Sequence, residues 1–334
     1  MNLAGVGSQA AWKDVRWEAP NAGEAAVRLK AAALNRRDLW IQKGRYSNLR
    51  FPVVPGSDGV GIVEEVGPGV KSSWKGLKVI LNPSLDWGQN DEAPGQAFRI
   101  LGTPDAGTWA EWIKIPAANL APLPEHLSFE EAAALPLAGL TAYRALFTRG
   151  KIRAGEKVLI TGIGGGVAQF LFCFALAAKA KVYVTSGSPE KLEKAKSAGA
   201  AGGAIYRQDD WDQVLIREAG LFDCIVDSAG GPGFPKLCDL ARPGGRIVSF
   251  GATAGNPPEL PLRKLFGRQL SLLGTTMGSP GEFASMVGLV RDAGIRPVID
   301  KVFPLADANE ALARMEAGGQ FGKIVLRIGY SDEQ

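Results

Sequence analysis

The sequence predicts an α/β fold with two domains, one built on a doubly wound parallel sheet and the other rich in short strands. Its 334 residues exceed a single typical core. From Gly155 onward, apolar strands alternate with helices, whereas the first 120 residues are short strands punctuated by Pro, Gly and Asn. We expect residues 1–121 and 279–334 to form the strand-rich domain and residues 122–278 to form the parallel-sheet domain.

The expected elements of the parallel-sheet domain follow one another in regular order. The strands are Lys157–Thr161, Lys181–Ser186, Gly203–Tyr206, Phe222–Ser228, Arg246–Phe250 and Ser271–Thr276, and the helices between the first four are Ala168–Ala178, Pro189–Ala198 and Trp211–Ala219. In such sheets, ligands bind beyond the carboxyl ends of the strands.

The run Lys157–Ala168 is a β-branched apolar strand that passes into glycines and then opens into an apolar helix. Glycines allow a sharp turn and close approach to a pyrophosphate, and the following helix N-terminus favours its charge. The spacing departs from the stricter glycine fingerprint, so the surrounding βαβ unit carries the assignment, and a turn used only for helix packing is the alternative. We expect a Rossmann dinucleotide site with contacts from Gly162, Gly164, Gly165, Gly166 and Val167.

The end of the second strand predicts which dinucleotide binds. NAD sites usually place a carboxylate there for the ribose hydroxyls, but this chain has Ser186, Ser188 and then Lys191. Hydroxyl donors and a cation suit a 2′-phosphate, so we expect NADP(H). Tyr206 and Arg207 are candidates for stacking on the adenine and adding positive charge, the alternative being an ordinary exposed loop pair.

Composition excludes several classes of function. The 38 basic and 34 acidic residues are interspersed, without the basic stripe of a nucleic-acid binder. The three cysteines have neither metal-like nor paired spacing, which indicates buried thiols in a reducing compartment. The uncharged stretch Val158–Ala178 is divided by glycines, so we do not expect a membrane span, and without a secretory signal we expect a cytoplasmic protein.

Several motifs together resemble the medium-chain dehydrogenase/reductase superfamily, and the resemblance runs nearly end to end. Besides the glycine loop, they are Ala31–Asp38, Pro55–Gly67, Leu127–Pro136 with Thr141–Tyr143, and Gly322–Leu326. The resemblance implies a GroES-like substrate domain together with a Rossmann domain.

The positions that hold catalytic zinc in many members are altered here. Asn35 replaces the first cysteine, Ser57-Asp58 replaces a His-Glu pair, and Leu137 falls near the second cysteine. The segment 82–107 also lacks the four cysteines of a structural zinc lobe. The resemblance therefore implies the zinc-free branch of quinone oxidoreductases and enal reductases, and we expect no metal.

By position in the family pattern, Asn35 and Tyr46 line the substrate side of the nicotinamide and donate hydrogen bonds to a substrate oxygen. The alternatives are a turn residue for Asn35 and a half-buried aromatic for Tyr46. The remaining cofactor contacts that we expect are Thr141, Ala229, Gly230, Phe250, Gly251, Thr275, Thr276 and Lys323. For Lys323 the alternative is a solvated lysine at a strand start.

These residues favour an NADPH-dependent oxidoreductase that reduces small-molecule quinones or α,β-unsaturated carbonyls. An alcohol dehydrogenase-like enzyme and a non-catalytic NADPH-binding protein are the alternatives. The edge strand Ser271–Thr276 also predicts a homodimer that extends the sheet.

Overall fold

The computed structural model describes residues 1–329. The strands are β1 (Glu24–Ala33), β2 (Asp58–Val66), β3 (Lys78–Leu81), β4 (Ser84–Leu85), β5 (Arg99–Ile100), β6 (Trp112–Pro116), β7 (Leu120–Pro122), β8 (Lys157–Ile160), β9 (Lys181–Ser186), β10 (Gly202–Ile205), β11 (Phe222–Asp227), β12 (Ala241–Ser249), β13 (Ser271–Gly274), β14 (Ile299–Pro304) and β15 (Lys323–Arg327). The α-helices are α1 (Arg36–Gln42), α2 (Phe129–Ala134), α3 (Pro136–Tyr143), α4 (Gly166–Ala177), α5 (Pro189–Ser197), α6 (Trp211–Ala219), α7 (Phe234–Leu240), α8 (Leu262–Gly267), α9 (Pro280–Asp292) and α10 (Ala308–Ala317).

The chain divides into two compact units. The first comprises Met1–Leu140 and the described chain from Gly278 onward, and the second is Thr141–Met277. The first unit therefore runs past the boundary expected at residue 121. The reason is α2, which packs against β1, β2 and β15 and so belongs with the strand-rich unit.

The first unit is built on a seven-stranded sheet in the order β14-β15-β1-β2-β3-β7, with β6 also pairing with β1. Most pairs are antiparallel, and β14 runs parallel to β15. Ala32 in β1 lies opposite Leu326 in β15, so the C-terminal segment returns to this unit as expected. The fold agrees with the GroES-like, β-rich domain predicted from the sequence.

The second unit is a six-stranded parallel sheet in the order β10-β9-β8-β11-β12-β13. The chain starts in the middle at β8, builds outward to β10, and then returns to β11 on the other side. Val158, Leu159 and Ile160 in β8 are fully buried, as a central parallel strand requires. This is the doubly wound Rossmann topology predicted from the alternation of strands and helices, and its strand order reverses at β8.

Within residues 1–329, no helix has both the length and the apolar character that crossing a membrane requires.

Candidate functional site

The glycine loop leaves β8 at the point where the strand order reverses. Gly162 has φ +68°, in the left-handed region that favours glycine. Its N–H donates to Thr185 Oγ1 at 3.1 Å, and the Ile163 N–H donates to the Thr185 carbonyl at 3.0 Å, so the loop is tied to the end of β9. Gly165 is the N-cap of α4, so the glycine loop opens directly into a helix N-terminus, the arrangement that suits a phosphate.

The glycine loop is also anchored by a hydrogen bond from α4 that was not predicted from the sequence. Ile163 is fully buried, and its carbonyl accepts a 2.6 Å hydrogen bond from Gln169 Nε2 in α4. Gly164, Gly166 and Val167 remain partly accessible above this anchor. A polar residue within an apolar helix is the sequence signal for such an anchor.

At the end of β9 two serines form a turn into α5. The Ser188 N–H donates to Ser186 Oγ at 3.0 Å, and Ser188 Oγ accepts the Lys191 N–H at 3.4 Å as the helix N-cap. Each hydroxyl therefore acts as an acceptor toward the backbone. Its own hydrogen remains a donor, which is the polarity that a phosphate requires.

Tyr206 lies against this serine turn although it belongs to the next strand's end. Its N–H donates to the Ser186 carbonyl at 3.0 Å, and its side chain is 48% exposed. A Cβ at Gly187 would lie 2.6 Å from Tyr206 Oη and 3.1 Å from Arg207 Nε. The structure thus brings Tyr206 and Arg207 to the turn where the sequence predicted the 2′-phosphate.

At the end of β11 a buried carboxylate organises the next turn. Asp227 accepts a 2.6 Å hydrogen bond from the Thr161 hydroxyl and a 2.8 Å hydrogen bond from the Gly230 N–H. Its carbonyl accepts the Phe250 N–H at 3.1 Å. Asp227 therefore joins the ends of three neighbouring strands, a role that the sequence did not reveal.

Two further turns carry predicted cofactor contacts, and in both of them the backbone packs closely against a neighbouring segment. A Cβ at Gly230 would lie 2.5 Å from the Gly255 carbonyl oxygen, and one at Gly251 would lie 3.0 Å from the Ser228 carbonyl oxygen. The turn with Ala229 therefore requires glycine at position 230, and the turn with Phe250 leaves little room for a side chain at position 251.

Thr275 follows β13, where its N–H donates to the Ser249 carbonyl at 3.0 Å. Its Oγ1 is buried, and no hydrogen-bond partner for it lies within the described chain. An orphaned hydroxyl at the carboxyl end of the sheet fits a polar group of a bound nicotinamide cofactor. Thr276 next to it is exposed, and Thr141 is buried at the first position of the second unit.

In the first unit, three strand ends meet around a polar cluster. Asn35 follows β1 as the N-cap of α1, Asp58 begins β2, and Lys323 begins β15. Ala33 in β1 pairs with both Asp58 and Val325, which places these ends side by side. We call Asn35, Asp58 and Lys323 the buried triad.

Lys323 is the centre of the buried triad. Its Nζ lies 2.7 Å from Asn35 Oδ1, 2.8 Å from Asp58 Oδ2 and 2.8 Å from the Leu34 carbonyl oxygen. The side chains of Lys323 and Asp58 are 3% and 0% exposed. Lys323 is therefore not a solvated lysine. Since an ammonium has three N–H donors, the geometry commits it to this unit and gives no support to its predicted contact with the cofactor.

Asn35 is fixed between the two charges. Its Nδ2 donates to Asp58 Oδ2 at 2.9 Å while its Oδ1 accepts from Lys323. The flipped carboxamide would place N–H against an ammonium and oxygen against a carboxylate, so the orientation is forced. Asp58 Oδ1 also accepts the Leu137 N–H at 2.7 Å, which brings together the three positions at which the family resemblance implied zinc ligands.

Asp38 forms a second buried carboxylate below Asn35. Its Oδ2 accepts the Asn35 N–H at 2.8 Å, and its Oδ1 accepts the Gly56 N–H at 3.3 Å. Burial raises the pKa of Asp38 to about 6, although the neighbouring Arg37 charge acts in the opposite direction.

Arg37 connects this region to Tyr46. Its guanidinium lies 4.8 Å from the Tyr46 ring centroid and donates to Ser57 Oγ at 2.5 Å and to the Leu101 carbonyl. Tyr46 is half-buried against the core of the first unit. The ring is held by a cation–π contact rather than by the strand ends of the buried triad.

The residues of the buried triad do not fit a zinc site. Asn35, Asp58 and the Leu137 backbone supply amide, carboxylate and N–H groups, and a lysine ammonium already lies among them. Zinc requires imidazole, thiolate or carboxylate ligands in a tetrahedral set. Within residues 1–329, no three His, Cys, Asp or Glu side chains lie together in a way that could hold a metal ion.

The segment 82–107 is organised by an aromatic core. Trp87 is buried, donates from Nε1 to the Asn90 carbonyl at 3.0 Å, and meets Phe98 edge-on with ring centroids 5.2 Å apart. The short sheet of β4 and β5 closes the segment. These contacts order the segment in which the family resemblance implied a structural zinc lobe.

Comparisons with known proteins agree with this architecture. The family model "Alcohol dehydrogenase GroES-like domain" matches residues 21–125, and the model "Zinc-binding dehydrogenase" matches residues 163–292. The chain is 37% identical over 330 residues to zinc-type alcohol dehydrogenase-like protein YogA of Leptosphaeria maculans, covering 93% of this chain and 92% of the relative. It is 29% identical over 329 residues to the quinone oxidoreductase of Mus musculus, covering 94% and 92%.

Among solved structures, the chain is similar to a crystal structure described as an NAD-dependent alcohol dehydrogenase. The identity is 39%, the TM-score is 0.90, and the match covers 95% of each chain. The superfamily binds a nicotinamide cofactor, and the glycine loop of the second unit fits one. The fold, the two family models and the relatives agree: this chain belongs to the medium-chain dehydrogenase/reductase superfamily.

Proposed function

We propose that the protein is an NADPH-dependent oxidoreductase that reduces quinones or α,β-unsaturated carbonyls by hydride transfer without zinc. The observation that carries the proposal is the Lys323 ammonium, which is held by Asn35 and Asp58 at positions where the family resemblance implies zinc ligands. The second unit keeps the glycine cradle for a dinucleotide. A hydride acceptor that is already electron-poor requires no metal to polarise it.

When bound, NADPH supplies the hydride that adds to the electron-poor carbon. The contribution of the first unit is a hydrogen-bond donor for the substrate oxygen, on which negative charge grows during the addition. Asn35 has one Nδ2 hydrogen beyond the one donated to Asp58, and that hydrogen serves as the donor in this proposal. Tyr46 is the second candidate, with a phenolic hydroxyl that can donate or supply a proton.

The cofactor preference for NADPH rests on the turn after β9. The hydroxyls of Ser186 and Ser188 retain donor hydrogens, Arg207 lies against Gly187, and Lys191 lies in the first turn of α5. The end of β9 carries no carboxylate that would repel a 2′-phosphate. A similar solved structure is described as NAD-dependent, so binding of NADPH and of NADH by this chain has to be compared directly. Our proposal assigns the remaining contacts to Thr141, Ala229, Gly230, Phe250, Gly251, Thr275 and Thr276.

Alcohol oxidation is the second candidate, because the names of several relatives favour it. An alcohol has a hydroxyl proton that must be accepted, and zinc enzymes meet this need with a metal-bound alkoxide. In the buried triad the Asn35 oxygen already accepts from Lys323. The donor character of the site favours carbonyl substrates.

A homodimer remains part of the proposal. Edge strand β13 and the neighbouring α8 expose apolar side chains, with Leu272 39% and Phe266 72% exposed. An open strand edge beside apolar surface suits a twofold contact between copies of this chain. Light scattering at micromolar concentration would show a dimer, and a monomer would contradict this part of the proposal.

The experiment that tests the function offers purified protein three substrate pairs side by side. NADPH is supplied with an aromatic ortho-quinone or with a simple enal, and NADP⁺ with a primary alcohol. We expect absorbance of NADPH to fall with the quinone or the enal at a rate far above that of alcohol oxidation. Faster alcohol oxidation would favour the second candidate, and no turnover by a sample that binds NADPH would favour a binding protein.

A further inference from the structure

We propose that Lys323 is a positioning residue that makes Asn35 a donor-only group toward the substrate. The inference rests on the proposed function and assigns Lys323 a role other than contact with the cofactor. A free asparagine side chain can accept or donate a hydrogen bond, and it can rotate to present either end. The buried triad removes that choice.

The first step is the loss of acceptor capacity. Asn35 Oδ1 accepts from Lys323 at 2.7 Å, and Asp58 Oδ2 accepts from both Lys323 and Asn35. Asp58 Oδ1 accepts the Leu137 N–H at 2.7 Å. The oxygens of the cluster are thus directed toward protein donors, and the orientation of the carboxamide leaves one Asn35 N–H for a substrate oxygen.

The second step is the polarity of that N–H. An ammonium that donates a hydrogen bond to an amide oxygen draws electron density toward that oxygen and makes the amide N–H groups better donors. Because Lys323 and Asp58 are both buried, their charges act with little screening by water. The stronger N–H donor therefore stabilises a substrate oxygen that gains negative charge in the transition state more than it stabilises the substrate in its ground state.

The third step is substrate class. In an enal, hydride adds to the β-carbon, the alkene electron pair moves toward the carbonyl, and the enolate oxygen takes the negative charge. A proton from solvent then forms a second C–H bond at the α-carbon as the enolate returns to the carbonyl, and the cofactor is left oxidised as NADP⁺. In a quinone, hydride adds to one carbonyl oxygen, the ring electrons shift, and the other oxygen carries the negative charge as a phenolate until a solvent proton gives the hydroquinone. Both substrates present an acceptor oxygen, whereas an alcohol also needs an acceptor for its proton.

Lys323 is tested together with Asp58, because removing one charge alone leaves the other buried. The double variant Asp58→Asn/Lys323→Met removes both charges and retains an oxygen for the Leu137 N–H. We expect its kcat with the preferred substrate to fall about 10-fold, since a misplaced group far from the reacting bond can cost up to about 10²-fold. The Kd for NADPH should stay within about 2-fold, because Lys323 acts through Asn35 rather than on the cofactor.

Asn35 supplies the decisive comparison. Asn35→Ala should lower kcat by about 10²-fold, the usual effect of losing one oxyanion donor. The triple variant Asn35→Ala/Asp58→Asn/Lys323→Met should be no slower than Asn35→Ala. If the losses of kcat in the triple variant multiply as independent effects, the positioning role is overturned. An unchanged kcat in the double variant would also overturn it. So would an increase in the Kd for NADPH large enough to explain the double variant's lower activity.

A control ion pair in the same unit shows whether any lost salt bridge slows the enzyme. Arg314 donates to Asp300 through Nε at 2.5 Å and through Nη2 at 3.0 Å. The variant Asp300→Asn/Arg314→Met retains an oxygen for the Phe321 N–H, which Asp300 Oδ1 accepts at 3.0 Å, and should keep kcat within about 2-fold. A loss equal to that of Asp58→Asn/Lys323→Met would make the effect structural and overturn the inference.

Chemical rescue provides a second route if the double variant does not fold. Lys323→Ala leaves the Leu34 carbonyl, Asn35 Oδ1 and Asp58 Oδ2 around a space for a small cation. Ethylammonium should restore kcat with saturation, and tetramethylammonium, which has charge but no N–H, should not. Equal rescue by both ions would overturn the proposed hydrogen bond to Asn35. Wild-type protein inactive on both substrates would instead refute the proposed function.

Discussion

Lys323 Nζ lies 2.8 Å from Asp58 Oδ2, and neither side chain is more than 3% exposed. The ion pair joins the first residue of β15 to the first residue of β2, on either side of β1. A buried charge of one sign requires a partner, so neither residue can change alone at low cost. The fold thereby maintains a buried cation beside Asn35 and Asp58, two positions at which the family resemblance implies zinc ligands.

The first prediction concerns stability. Lys323→Met should reduce the free energy of unfolding by about 3–5 kcal/mol, because it leaves the Asp58 carboxylate buried without its partner. Asp58→Asn/Lys323→Met should lose markedly less free energy of unfolding, because neither charge is left buried without a partner. Urea unfolding at pH 7 measures both values, and a double variant less stable than the single one would contradict this account.

The second prediction concerns pH. Burial raises the pKa of Asp38 from 3.8 to about 6, so the folded protein binds this proton more tightly than the unfolded chain does. The stability from this proton is therefore complete below about pH 4 and is lost as pH rises through about 6. Relative to Asp38→Asn, wild type should lose up to about 3 kcal/mol between pH 4 and pH 7. Unfolding of both proteins at several pH values checks the sign, and a wild type that gains stability over this window would contradict it.

The third prediction concerns the glycine loop. Gly162 and Gly155 have φ values of +68° and +82°, and a Cβ on either would meet open space. Alanine at each position should cost about 1–2 kcal/mol through backbone strain. We expect only Gly162→Ala to weaken NADPH binding, by 10-fold or more at about 1.4 kcal/mol per factor of ten, since only Gly162 lies in the cradle. Fluorescence titration with NADPH measures both, and equal weakening would mean that strain alone explains the effect.

The fourth prediction concerns cofactor preference. Lys191→Ala and Arg207→Ala should each raise the Kd for NADPH by about 10-fold and leave the Kd for NADH nearly unchanged, because only NADPH carries the 2′-phosphate. Lys194→Ala is a matched control, since Lys194 lies in the same helix and pairs with Glu190 at 2.7 Å. Equal weakening of both cofactors would show that these cations do not recognise the 2′-phosphate.

Much of the second unit could be predicted from sequence because its order is local. The predicted strand Lys181–Ser186 and the predicted helix Trp211–Ala219 begin and end at the same residues in the structure, because caps and apolar runs define their ends. By contrast, β12 begins at Ala241 rather than at Arg246, because it contains a register shift within a segment of Pro and Gly.

The buried triad could not be predicted in this way. Asn35 and Lys323 are 288 positions apart, and only the pairing of β1 with β15 brings them together. A lysine at the start of a strand is usually solvated, and nothing nearby in the sequence identifies Asp58 as its partner. Asp227 is similar, because its partners Thr161 and Phe250 come from neighbouring strands. Long-range pairing determines these sites.

The measurement that tests the central claim most directly is turnover of NADPH by protein treated with a chelator and freed of metal. It is offered an ortho-quinone and an enal, each with and without added Zn²⁺. The account predicts that kcat/KM for the preferred substrate is the same in both preparations, because the Lys323 ammonium already neutralises Asp58 and Asn35 is not a zinc ligand. Activity that disappears with the chelator and returns with Zn²⁺ would contradict it.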